Sequence, residues 1–248
     1  MSQSTESTTE SDPFTRPGFI IAAALVVALV AAGIVIFLLP KGQSNAEPAP
    51  ATSSTATARP SASSDGGKSI CGLPSSSETS LGTAPTSKWE LVGKMATPAD
   101  PEVGPGKTDT SGFRSCFAHS PTGSLYAAMN VAALGSSGNP DILKQVADKL
   151  LVPGSGRDAA LKETASGTSS SGSSTTIQVK GFLLKSYTPS EASVDLAFAT
   201  ETGALGRTTF SMRWMDGDWK VKPSDDGATF GHISQVRDLS GFILWSGI

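Results

Sequence analysis

Hydrophobic and polar positions divide the chain into three stretches of different character. Residues 19–39 carry no charged or strongly polar side chain. A run of about 21 such residues spans about 31 Å as a helix, close to a hydrocarbon core of about 30 Å, so it predicts a transmembrane helix. A signal peptide is the competing reading, with Ser44-Asn45-Ala46 as a small-x-small cleavage site. The run is longer than the 7–15 residues of a signal h-region, and the preceding tail is acidic (Glu6, Glu10, Asp12 against Arg16), which favours a retained anchor. Residues 40–87 are dominated by Ala, Ser, Thr, Pro and Gly without apolar periodicity, and predict a disordered linker.

From residue 88 onward the pattern becomes that of a folded domain. Trp89-Glu90-Leu91-Val92-Gly93 predicts a short strand, and residues 98–106 a turn-rich segment. Ser120 followed by Pro121 starts a helix, with Leu125, Ala128, Met129 and Ala132 at helical spacing and Gly135 at its end. Asn139-Pro140-Asp141 repeats the start signal, and Ile142, Leu143, Val146 and Leu150 form the apolar face of a second helix. A third, short helix is expected over 157–164, then a Ser/Gly loop over 165–176. The period then changes from 3.6 to 2. Strands are expected over 176–187, 193–199 (Val194, Leu196, Phe198 on one face) and 207–215 (Phe210, Met212, Trp214). Asp216-Gly217 is a two-residue hairpin signal that sets Trp214 opposite Trp219, where the indoles are expected to stack. The apolar tail around Phe242 and Trp245 is expected to fold back onto the domain.

Helices followed by a long antiparallel sheet predict an α+β domain with two to three helices packed on one sheet face. The whole chain then reads as a tail (1–18), a transmembrane helix (19–39), a linker (40–87) and a domain (88–248). Lys/Arg counts on either side of the apolar run do not decide its orientation. The linker composition and a lone cysteine pair place the C-terminal domain outside the cell membrane and the N-terminus inside. Cys71 and Cys116 have no other partner in the sequence, and an exported domain would join them as a disulfide, with two unrelated thiols as the competing reading.

Composition narrows the function classes. The 248 residues carry a net charge of −3, with 38% hydrophobic and 17% charged positions. A chain with this balance has no basic surface for phosphate contacts, so nucleic acid is not an expected partner. Candidate chemistry is sparse. Cys116 and His119 lie three positions apart, but a Cys–His nucleophile pair is built through space, and disulfide plus surface histidine is the simpler reading. His232 stands alone among glycine-rich neighbours, and Asp225-Asp226 reads as a solvated loop pair. Gly104-Pro105-Gly106-Lys107 lacks the spacing of a phosphate-binding loop. No catalytic residue, metal ligand or cofactor site is assigned.

Ser120-Pro121-Thr122-Gly123 with Ala127-Ala128, Trp214-Met215-Asp216-Gly217-Asp218-Trp219 and Asp238-Leu239-Ser240-Gly241-Phe242 with Trp245 carry a resemblance. The domain resembles the nuclear transport factor 2-like cone fold. The chain also looks like an uncharacterised family of actinobacterial membrane-anchored proteins of mobile and conjugative elements. The resemblance implies a non-enzymatic scaffold or assembly protein of a type IV secretion-like transfer apparatus. Its partners would be the lipid bilayer, through one helix, other envelope or transfer-machinery proteins, and a second copy of itself. The alternative is a tethered binding domain that takes a small apolar ligand or peptide in the mouth of the cone, which a deep apolar pocket would favour.

Overall fold

The structure, a computed structural model, describes residues 67–167 and 176–247. Strands β1 (Lys88–Val92) and β2 (Met95–Ala99) form an antiparallel hairpin, and β3 (Lys107–Thr108) pairs with β4 (Arg114–Ser115). Three helices follow: α1 (Pro121–Gly135), α2 (Pro140–Gln145) continued by a π-helical turn (Val146–Leu150), and α3 (Ser155–Ser166). Six strands complete the domain: β5 (Ile177–Tyr187), β6 (Glu191–Thr200), β7 (Leu205–Met215), β8 (Asp218–Val221), β9 (Ser234–Gln235) and β10 (Ile243–Leu244). They make one antiparallel sheet in the order β10-β5-β6-β7-β8, with β9 pairing the start of β7 beyond the reach of β8.

Register follows from which side chains can be buried together. Phe182 pairs with Leu196, Val194 with Phe210, and Met212 with Val221, and all six are buried. Helix α1 sits between this sheet and the β1–β2 hairpin. It has no charged residue and is buried on nearly every side, as expected of a helix apolar all round. The Ser120 side chain accepts the Gly123 N–H at 3.0 Å. Gly123 is required there, because a Cβ would collide with the carbonyl oxygen of Ala118. The Asn139 side chain caps α2 in the same way through the Asp141 N–H at 2.9 Å.

Both chain ends of the described region are tied down. Trp245 lies against Trp89, Tyr126 and Phe182, and its indole N–H donates to the Pro85 carbonyl at 3.1 Å. Cys71 and Cys116 form a disulfide, and the Ile70 N–H bonds the Gly217 carbonyl at 2.8 Å. Residues 67–87, linker by composition, are thus laid along the domain and held by backbone bonds.

Three sequence expectations are corrected. The tail (1–18), the span (19–39) and linker residues 40–66 lie outside the described residues. Among the described residues no helix is long and apolar enough to cross a membrane. The longest, α1, has 15 residues, about 22 Å against a hydrocarbon core of about 30 Å. The expected transmembrane helix, and a single-pass placement in the cell membrane with the domain outside, therefore lack support. The α+β architecture with helices layered on a nuclear transport factor 2-like cone is also replaced. The described residues are sheet-rich, with 34% strand against 22% helix. The difference arises where residues 95–99 and 107–115, to which the sequence pattern assigns no strand and whose Pro98 and Ala99 open the segment read as turn-rich, pair into β2, β3 and β4. Pro98 is accommodated in this small two-stranded sheet opposite Trp89.

Candidate functional site

The residues singled out for chemistry do not converge. Cys116 is half of the disulfide and offers no thiol. His119 is buried, with its ring stacked on Trp214 at 3.9 Å and 8°. Its Nε2 lies 2.5 Å from the Pro189 carbonyl oxygen and Nδ1 lies 3.3 Å from that of Gly67, so both nitrogens face backbone. Trp214 and Trp219 are opposite in register, as expected, but their rings meet edge-on at 5.4 Å and 67° instead of stacking. His232 is exposed. Ser155 Oγ donates to Asp225 at 2.6 Å and Ser224 Oγ to Asp226 at 2.5 Å, so this acidic pair braces a loop. Lys107 is an exposed residue of β3. Among the described residues no group of three or more His, Cys, Asp or Glu could hold a metal ion.

What the fold does build is a cavity of about 880 Å³ between the helices and the sheet. Val131 and Ala132 of α1, the π-turn residues Val146 and Ala147, and Ala160 of α3 form its helical wall. Val179, Leu196, Phe198 and Phe210 form the sheet wall. Alanine at 132, 147 and 160 leaves space where a longer aliphatic side chain would close the gap. The segment after β8 returns along the free edge of β7: the Gly231 N–H bonds the Thr209 carbonyl at 2.8 Å, and Thr208 Oγ1 donates to the Gly231 carbonyl at 2.8 Å. That segment sets Phe230 and Ile233 at the opening, 44% and 50% exposed, with Phe230 5.9 Å from the Phe210 ring.

The electrostatics of the cavity are simple. Its charged lining residues are Lys94, Glu163 and Asp226, and all three are exposed. Its aliphatic and aromatic walls, from Val131 to Phe210, are largely buried. Charge is therefore confined to the opening, and beyond threonine hydroxyls such as that of Thr208, which is already bonded to Gly231, the interior offers dispersion contacts and water exclusion. The sequence signalled a pocket-binding alternative but not the residues that line it. They come from six elements far apart in the chain, which no local pattern in the sequence brings together.

Comparison with known proteins adds a family. A family model described as a domain of unknown function (DUF8175) matches residues 50–244. No curated protein and no solved structure matches the chain.

Proposed function

We propose, for a chain that belongs to the DUF8175 family of unknown function, that the domain binds a small, uncharged, apolar molecule in the cavity between its helices and sheet. The observation that carries this reading is the cavity itself: about 880 Å³, apolar inside, with charge only at the opening. Ligand sites of this kind have volumes of about 300–1,000 Å³ and bury most of the ligand. Burial of apolar ligand surface supplies the affinity, at about 25 cal/mol per Å² before ordering costs. A charged group would lose its hydration in the interior without a partner, so any polar end of the ligand faces Lys94, Glu163 and Asp226. The scaffold role in a transfer apparatus rests on sequence resemblance alone, whereas the ligand-binding role has a structural feature of its own.

The test is titration of the full chain with the neutral fluorophore N-phenyl-1-naphthylamine. One saturable site is expected, competed by a long-chain alcohol, with at least about tenfold loss of affinity in Ala147→Trp, which fills the cavity from the π-turn. The comparison with the variant separates the cavity from fluorophore taken up by the apolar run at 19–39. Binding that does not saturate, or that Ala147→Trp leaves unchanged, overturns the reading.

A further inference from the structure

A second concavity, of about 430 Å³, opens on the other side of α1, beside the β1–β2 hairpin and β4. Its lining includes Glu90 and Leu91 of β1, Arg114 of β4, Leu134 of α1, Ser137, and Ile142 of α2. Arg114 is the feature that needs explaining. It is 3% exposed, and none of Nε, Nη1 and Nη2 has a hydrogen-bond acceptor among the described residues. A guanidinium presents five N–H donors in a planar fork. Its one ionic partner among the described residues is Glu90, whose Oε2 lies 3.1 Å from Nη2 but outside hydrogen-bonding geometry. Buried charge with unsatisfied donors is unfavourable and is retained where something else uses it. The backbone holds Arg114 in place regardless: Thr108 pairs with it across β3–β4, and Asn130 Nδ2 donates to its carbonyl at 2.9 Å.

Glu90 is held far less firmly. Its side chain is 59% exposed, on a strand whose next residue, Leu91, is 78% exposed. Rotation of Glu90 into water costs it little. Arg114 then faces the pocket with its donors free.

We propose that this pocket binds a small carboxylate-bearing ligand, with Arg114 as its ionic partner and Glu90 as the resident carboxylate that the ligand displaces. Two observations choose the carboxylate over other anions. The position beside the guanidinium is already occupied by a carboxylate. Arg114 is also the one cation in the lining, too little charge for a phosphate dianion beside Glu90. Leu134 and Ile142 offer the rest of the ligand an apolar wall, and Ser137 a hydroxyl. Burial pulls the Arg114 pKa down and Glu90 opposes that pull. The site is separate from the apolar cavity and does not depend on it.

The test uses benzoate, its neutral counterpart benzamide, and inorganic phosphate, each titrated into the full chain while the Arg114 Nε–H resonance is followed. Benzoate is expected to move that resonance saturably, and benzamide and phosphate are not. Glu90→Gln is expected to melt lower than the parent, to recover with benzoate, and to bind benzoate about tenfold more tightly. Arg114→Met is expected to lose the response, and Ala147→Trp to keep it. Should Arg114→Met fail to fold, the resonance and Glu90→Gln decide alone. Benzamide or phosphate acting as well as benzoate overturns the proposal, as does a Glu90→Gln affinity equal to the parent's.

Discussion

Asp218 accepts the backbone N–H of Cys116 at 2.7 Å, across 102 positions of sequence. The same carboxylate accepts the N–H groups of Phe117 at 2.9 Å and Trp219 at 2.8 Å. Cys116 has φ +68, a left-handed conformation that costs a residue with a Cβ about 1–2 kcal/mol. It is also bonded to Cys71. One residue thus joins the β7–β8 hairpin, the strand before α1 and the segment leading into the domain. The Asp-Gly-Asp sequence at the hairpin is therefore a tertiary anchor as well as a turn.

Asp218 makes stability depend on pH. Burial pushes its pKa up to about 6 despite its three N–H bonds. The unfolded group titrates near its ordinary value of about 3.9. Between these two values the folded state binds more protons than the unfolded state, so this residue's contribution falls as pH rises from about 4 to about 6. The loss is at most about 3 kcal/mol. Denaturant melts at pH 4, 5, 6 and 7 should show the decline in the parent and a flatter profile in Asp218→Asn. Asp218→Ala leaves three buried N–H groups without an acceptor and should lose about 3 kcal/mol or more. Identical profiles for the parent and Asp218→Asn would show that Asp218 does not titrate in this window.

Reduction of the disulfide should cost stability without dismantling the sheet. The bridge closes a separation of 45 residues, worth about 4 kcal/mol in the chain-entropy model. The backbone bonds of the segment it ties down run to the β7–β8 turn, through the Ile70 N–H and Gly217 carbonyl, and to His119, outside the β5–β6–β7 ladders. Cys71→Ser/Cys116→Ser should therefore keep its far-ultraviolet circular dichroism and melt lower. Hydrogen exchange should rise first over 67–87. Uniformly raised exchange, with β5–β7 affected as much, would count against a local role.

The parts of this fold legible in the sequence are those whose signals are local. Ser120 and Asn139 cap the helices at the positions their spacing indicates, and Asp216-Gly217 turns β7 into β8 with Trp214 opposite Trp219. The illegible parts depend on neighbours distant in sequence. Met95-Ala96-Thr97-Pro98-Ala99 becomes a strand because β1 pairs with it through a turn at Gly93, which has φ +58. Trp214 stacks on His119 instead of Trp219 because the disulfide-linked segment brings that imidazole into the hairpin. Nothing near Arg114 marks it as buried, since its enclosure comes from β1 and α1. The apolar cavity was foreseeable as a kind of site, but its walls are set by tertiary packing.

Two glycines in one helix should respond oppositely to alanine. A Cβ at Gly123 would strike the Ala118 carbonyl, which accepts the Trp219 indole N–H at 3.1 Å and cannot easily yield. Gly123→Ala should lose about 2–3 kcal/mol through strain at the helix start. A Cβ at Gly135 meets nothing within 4 Å, so Gly135→Ala should gain about 0.5–1 kcal/mol from helix propensity. Thermal melts of both variants check the pair. Equal changes in the two would contradict the close approach of α1 to the Ala118 turn.

The rim of the apolar cavity separates a binding role from a packing role. Phe230 and Ile233 are 44% and 50% exposed, so about half of each side chain is still open to a ligand. A ligand filling the cavity would cover part of their remaining surface. Covering about 40 Å² of each adds about 1 kcal/mol, or about fivefold in affinity. Phe230→Ser and Ile233→Ser should therefore each weaken N-phenyl-1-naphthylamine binding by about fivefold, and each should also lower stability by about 2–3 kcal/mol through the half of the side chain already buried. The backbone bonds of Gly231 to β7 do not involve these side chains, so the rim segment should keep its place in both variants. Unchanged affinity alongside the fall in melting temperature would show instead that the two residues only close the core.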